Sequence, residues 1–118
     1  MNAVKLLPMS EERVELIKQI TDSDEVLQDL KKFIHQGWPD TRERLPTTIS
    51  PYFVYREELS IYDGLIFKGE RLLIPEGMRK EIKEQLHRSH IGTNGCLRRA
   101  RECMFWPGMS AEIKEYIQ

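Results

Sequence analysis

The sequence has few cysteines and no long hydrophobic run. Its 118 residues include two cysteines, and no apolar stretch reaches the roughly 20 residues that a membrane-spanning helix needs. The start of the chain, Met1 to Pro8, is too short and too weakly apolar for a signal peptide. These absences predict an intracellular protein that has no membrane among its partners.

The two cysteines are not spaced for an internal disulfide. Cys96 and Cys103 fall in a predicted helix, where their separation corresponds to an axial rise of about 10 Å. A disulfide tolerates at most about 7 Å between α-carbons. We therefore expect two partly buried thiols in a reducing compartment. A redox or metal sensor that uses both cysteines is the alternative.

The sequence also lacks the common catalytic motifs. It has no G-x-S-x-G, no P-loop, no H-E-x-x-H and no glycine-rich dinucleotide fingerprint. Its acidic residues fall mostly in salt-bridge positions on predicted helix faces. A noncatalytic chain is therefore expected.

Positive charge is concentrated in one part of the chain. The net charge is −1, but residues 79–102 carry seven Lys and Arg against three Glu. Arg79 to Glu84 alternates in sign at salt-bridge spacing, which favours a solvated helix face. Arg98, Arg99 and Arg101, called the basic segment below, have only Glu102 beside them. The basic segment is the better candidate for DNA contacts.

The first half of the chain predicts three short helices. Ser10 precedes Glu11 and Glu12 as a helix cap, and Asp24 caps a second helix. These two helices are expected to form a hairpin. Ser50, followed by Pro51, predicts the start of a third helix, with Ser50 as its cap.

A small sheet and further helices are expected to follow. Asp63-Gly64 is a strong hairpin turn between short apolar runs, so residues 59–74 predict a two- or three-stranded meander that needs helices packed on it. Pro75 begins a helix, and residues 93–104 and 110–117 predict two more. The fold class is mainly α with a small antiparallel β-hairpin or meander. We divide the chain into 1–49, a helical hairpin and connection; 50–74, a short helix plus meander; and 75–118, a helical module.

Two histidines lie at the end of the predicted helix that follows Pro75. His87 and His90 are three residues apart, which places both imidazoles on the same side of a helix. Paired imidazoles can supply half of a tetrahedral zinc site, although they can equally cap the last carbonyls of the helix. The usual second half, a Cys-x-x-Cys, does not occur in the sequence. Trp38 and Trp106 each precede a proline and are expected to pack in the core.

Several anchors from Leu72 onward resemble one known family. They are Ile74-Pro75, Leu86 to Gly92, Gly95 to Arg101, Phe105 to Met109 and Glu115 to Ile117. In this order they resemble the zinc-binding (H2C2) N-terminal module of integrases from Ty3/gypsy-type retrotransposons. Residues 62–69 look like the hairpin that precedes this module. Residues 1–58 resemble, more weakly, the linker between ribonuclease H and integrase in such polyproteins.

The resemblance implies a zinc-binding-like helical bundle that has an N-terminal helical extension. The zinc of this family is held by two His and two Cys, which assigns His87 and His90 as ligands. The family's Cys-x-x-Cys follows the Tyr-Ile that corresponds to Tyr116-Ile117. Zinc is thus an expected cofactor whose site is incomplete here, because the chain is truncated or because a host-adopted copy has lost these ligands.

The resemblance also implies partners. The family's catalytic residues lie in a following domain, so this fragment is expected to be noncatalytic. DNA is the expected partner, either the element ends or nonspecific duplex, bound by Arg88 and the basic segment. Self-association or contact with other integrase domains, and a nuclear location, are further expectations. The alternative is a domesticated host protein-interaction domain that has lost zinc and DNA binding.

Overall fold

A computed structural model of the chain describes residues 10–88 and 102–117. The described part is mostly helical and contains a small four-stranded sheet. Its elements, in chain order, are α1 (Glu11–Ser23), α2 (Glu25–Gln36), two 3-10 helices (Arg42–Arg44 and Ser50–Tyr55), β1 (Leu59–Tyr62), β2 (Leu65–Lys68), β3 (Arg71–Leu73), α3 (Glu76–Arg88), β4 (Met104–Phe105) and α4 (Met109–Ile117).

The first two helices are joined through a single residue. Ser10 caps α1, since its hydroxyl accepts from the Arg13 backbone N–H at 3.1 Å. Asp24 ends α1 by donating its N–H to the Thr21 carbonyl and begins α2 by accepting from the Leu27 N–H at 3.0 Å. Asp24 therefore pairs a free carbonyl at the end of α1 and a free N–H at the start of α2. Because one residue caps both helices, no loop separates them. The predicted helical pair is confirmed.

The third helix differs from its prediction. Ser50 is not the cap but the first residue of a six-residue 3-10 helix, and its hydroxyl lies 3.5 Å from the Thr47 carbonyl. Ile49 and Tyr52 are both buried, three residues apart. That spacing matches the three-residue period of a 3-10 helix, so burial of these side chains favours the tighter form.

The first three strands form the expected meander. β1 pairs antiparallel with β2, and β2 pairs antiparallel with β3. Asp63 and Gly64 connect β1 and β2 with φ values of 52° and 78°. Two successive positive φ values define the tight turn whose twist suits a β-hairpin, and they explain the Asp-Gly pair.

The sheet has a fourth strand, which corrects the predicted antiparallel meander. The same strand removes Met104 from the helix predicted over residues 93–104, of which residues 93–101 lie outside the described residues. β4 runs parallel to β3, with Leu72 opposite Met104 and Leu73 opposite Phe105. The Ile74 N–H extends this ladder by donating to the Phe105 carbonyl at 3.0 Å. A parallel neighbour needs a long crossover, which here includes α3. A two-residue strand shows no alternation that could have revealed it.

One hydrophobic cluster joins most of these elements. Side chains from the four α-helices and the four strands of the described residues contribute to it, and Trp106 within the cluster is 1% exposed. The core role predicted for Trp106 is confirmed. Trp38 packs at the edge, with its ring 5.5 Å from that of Phe33. The three-part division of the chain stays a prediction, although its segments share this cluster.

Candidate metal and nucleic-acid site

Helix α3 carries the candidate metal ligand at its last turn. Met78, Ile82 and Leu86 are buried along one side of α3, as their four-residue spacing predicts. His87 follows Leu86 and is therefore turned away from the core, with its side chain exposed. The same helical period that buries Leu86 thus presents the neighbouring imidazole at the surface.

The His87 imidazole lies against α4. Its ring meets the Tyr116 ring edge-on, with centroids 5.8 Å apart and an angle of 88° between planes. Tyr116 was predicted to lie on the apolar side of α4 with Ile113, but it is 39% exposed. Nothing in the sequence spacing marked this contact, because it joins residues of different helices.

An ion pair fixes the two helices at this end. Lys83 Nζ lies 3.4 Å from Glu112 Oε1 and 6.0 Å from the centre of the Tyr116 ring. Lys83 is one turn before His87 on α3, and Glu112 is one turn before Tyr116 on α4. The ion pair and the ring contact therefore lie side by side, and both hold the end of α4 next to His87.

The charged side chains of α3 form different ion pairs from those predicted. Its alternating charges predicted pairs within the helix, but the pairs observed among the described residues join α3 to other elements. Arg13 of α1 donates to Glu81 at 3.2 Å and to Gln85 at 2.9 Å. Lys83 pairs with Glu112 on α4, as described above. The Arg13 contacts connect α3 with the preceding helix α1, whereas the Lys83 pair joins two helices that both follow residue 74.

Arg79 makes further, partly buried connections. Its Nε donates to the Ile74 carbonyl at 3.0 Å, and its Nη2 donates to the Tyr52 hydroxyl at 3.2 Å. The guanidinium also lies 5.6 Å from the centre of the Trp106 ring. Burial raises the pKa of the Tyr52 phenol, and the adjacent positive charge of Arg79 opposes that shift. Arg79 is consequently committed to structure and is a poor candidate for ligand binding.

The remaining predicted site residues divide into two groups. Arg88 is the last residue of α3 and is exposed, as a DNA contact requires. His90, Cys96 and the basic segment lie outside the described residues. Cys103 is described and buried, which agrees with its predicted role as a small apolar side chain.

The described residues do not fit a complete zinc site. Among residues 10–88 and 102–117, no group of three or more His, Cys, Asp or Glu side chains comes together to hold a metal. His87 contributes one exposed imidazole, whereas a structural zinc normally has four protein ligands. Within the same ranges, no helix has the length and apolar character that crossing a membrane requires.

Comparison with known proteins identifies the class of the C-terminal segment. Residues 74–118 match the family of the integrase zinc binding domain. The matched residues begin directly after β3 and include α3, β4 and α4. They also include His87 and His90. The resemblance of this segment to an integrase zinc-binding domain is thus confirmed. Its assignment to Ty3/gypsy-type elements stays a prediction.

A relative in Caenorhabditis elegans extends the similarity to nearly the whole chain. The uncharacterized protein K02A2.6 is 25% identical over 115 residues, which are 97% of this chain. The chain spans only 9% of the length of that protein. No solved structure matches the chain significantly.

Proposed function

We propose that the chain is a noncatalytic nucleic-acid- and protein-binding module of a Ty3/gypsy-type retrotransposon integrase or polyprotein, where it supports DNA integration in the nucleus. The observation that carries this proposal is the match of residues 74–118 to the integrase zinc binding domain. From that class we infer binding of element ends or nonspecific duplex DNA. We also infer self-association or contact with other integrase domains.

The charges of the segment support the DNA part of the proposal. Arg88 is exposed at the end of α3, and the basic segment adds three arginines within the following thirteen residues of sequence. Arginine donates several N–H groups to phosphate oxygens and keeps its charge at all physiological pH values. Contacts of this kind are independent of sequence and weaken strongly as salt rises.

The metal part of the proposal rests on two histidines. His87 is exposed at the end of α3, and we propose that it acts with His90 as half of the family's ligand set. Zinc ligation needs neutral imidazoles, so we expect zinc binding to weaken as the pH falls. Within this chain we expect that half-site to bind zinc weakly.

A second candidate is a host protein-interaction domain without zinc or DNA binding. Apolar packing supports it, since Ile82 and Leu86 of α3 and Ile113 of α4 are buried in the same core as α1 and the sheet. Such packing allows the fold to persist without a metal.

Binding to duplex DNA at several salt concentrations separates the two candidates. We expect replacement of Arg98, Arg99 and Arg101 by alanine to lower the affinity at least about tenfold at low salt and to reduce the slope of log K against log salt by about 2 to 3. The matched control removes three other exposed charges, those of Lys32, Arg42 and Arg44. Fluorescence anisotropy with a labelled duplex measures both quantities.

The control variant should retain most of the affinity for DNA, because we expect charges outside the basic segment to contribute little to binding. Equal binding by the native chain and the variant of the basic segment would reject the DNA role of that segment. No measurable binding by the native chain would favour the protein-interaction domain.

A further inference from the structure

A groove lies at the edge of the sheet, where β4 is followed by α4. Positively charged side chains and the N-terminus of α4 both line it. It has a volume of about 290 Å³ and is lined by residues from three separate parts of the chain. Tyr55 comes from the 3-10 helix, Lys68 and Arg71 come from the β2–β3 hairpin, and Gly108 to Ala111 form the start of α4. The groove exists because β4 joins the sheet and brings α4 next to the hairpin.

The two cations of the groove are held differently. Lys68 Nζ lies 5.4 Å from the centres of both the Tyr55 and Phe105 rings and 3.3 Å from Glu58 Oε1. The rings position the ammonium group without neutralising its charge. The Glu58 side chain is 55% exposed, so solvent screens its effect. The lysine is thus fixed at the groove before any ligand arrives.

Arg71 is the available cation. It begins β3 and is partly exposed, and no acidic side chain among the described residues pairs with it. Glu70 precedes it on the exposed turn but forms no ion pair in the same described ranges. A guanidinium beside a fixed ammonium attracts an anion, and its planar donors match the oxygens of a phosphate.

Two further features border the same groove. The first is the positive end of the dipole of α4, a helix of nine residues, although the Met109 and Glu112 N–H groups donate to the Trp106 and Gly108 carbonyls. Trp106 also lines the groove, and its buried Nε1–H meets no acceptor among the described residues. Glu112 is the nearby acid of this turn, and its carboxylate is paired with Lys83. The positive end of the α4 dipole therefore lies beside the two cations.

We propose that this groove, formed by Lys68, Arg71 and the start of α4, binds a phosphate group. Aromatic rings and two cations around a concavity of this size suit a phosphate ester of a polynucleotide backbone, with free phosphate as the simpler ligand of the same chemistry. The choice of polynucleotide rests on the proposed nucleic-acid function, whereas the phosphate site itself does not. The site lies outside the basic segment and would give the chain a second contact.

Titration of the full chain with inorganic phosphate, and separately with a short duplex DNA, tests the site. Backbone amide NMR signals of Gly108 and Ala111 should shift in both titrations. Arg71→Gln and Lys68→Gln should each weaken phosphate and DNA binding about threefold to tenfold and lower the salt slope for DNA by about 1. Lys32→Gln, an exposed lysine on α2, is the control and should change neither.

The two arms distinguish the source of the phosphate. Shifts with both ligands, weakened by Arg71→Gln, support a polynucleotide contact. Shifts with inorganic phosphate alone retain the phosphate site and assign it to small phosphates. Unchanged Gly108 and Ala111 signals in both titrations overturn the proposal. Loss of DNA binding in the variant of the basic segment, with the phosphate shifts intact, would concern only the proposed function.

Discussion

The part of the chain before residue 74 and the part that matches the integrase family differ in how their structure is determined. The first part is built from local signals, namely two capped helices and a meander closed by Asp63 and Gly64. The matched part depends on distant partners, because β4 lies on β3 and the charged face of α3 binds α1 and α4. The family boundary therefore does not coincide with the boundary of a structural unit.

The matched segment packs closely against the rest of the chain. Arg79 reaches Tyr52, Arg13 reaches Glu81, and Trp106 sits in a core that includes α1 and α2. Apolar packing and tertiary contacts with residues 10–73 therefore contribute to the stability of this segment.

The largest expected effect comes from shortening core side chains on either side of the family boundary. Ile17 of α1 and Ile113 of α4 are both fully buried, so replacement by alanine should cost about 2–5 kcal/mol of unfolding free energy in each case. Because the core is shared, both changes should lower the urea midpoint that Trp106 fluorescence reports in a Trp38→Phe background.

Leu16 provides the control for that comparison. It lies beside Ile17 on α1 but is 40% exposed, so Leu16→Ala should change the free energy of unfolding by only about 0.5 kcal/mol. If Ile17→Ala left the Trp106 transition in place, the two regions would unfold separately and the shared core would be wrong.

A smaller and opposite pair of effects is expected from two glycines. Gly64 has a φ of 78° and lies near Lys18, so Gly64→Ala forces a side chain into an unfavourable conformation and should destabilise by about 1 kcal/mol. Gly77 lies in α3, where an added Cβ would meet only Ile20 at 3.9 Å. Gly77→Ala should therefore stabilise by about 0.5–1 kcal/mol.

Thermal unfolding measures both glycine variants, with each serving as the other's control. A stabilised Gly64→Ala variant would show that the tight turn does not limit the meander. A destabilised Gly77→Ala variant would show that α1 packs more closely on α3 than the structure indicates.

The sequence predicted those features whose causes are local. The caps at Ser10 and Asp24 and the turn at Asp63-Gly64 follow from the hydrogen bonds and φ values that these residue types favour. The buried line of α3 follows from helical periodicity. Predictions failed where a distant partner decides the outcome, as for β4.

The candidate site was predictable to a similar extent. The exposure of His87 follows from its position beside the buried Leu86. Its contact with Tyr116, and the groove that contains Lys68 and Arg71, require the packing of α4 against α3 and the sheet. Side chains that meet across elements carry no spacing signal in a single sequence, so these features needed the structure.

Zinc titration of the purified chain tests the assignment of His87 and His90 most directly. We expect weak binding that is lost in His87→Ala and in His90→Ala and unchanged in His35→Ala, whose histidine is exposed at the end of α2. A complete four-ligand site would instead contribute about 10 kcal/mol or more. Native mass spectrometry and calorimetry measure stoichiometry and affinity. Weak zinc binding that depends on both histidines supports the account, whereas one tightly held zinc per monomer, or binding that survives both substitutions, contradicts it.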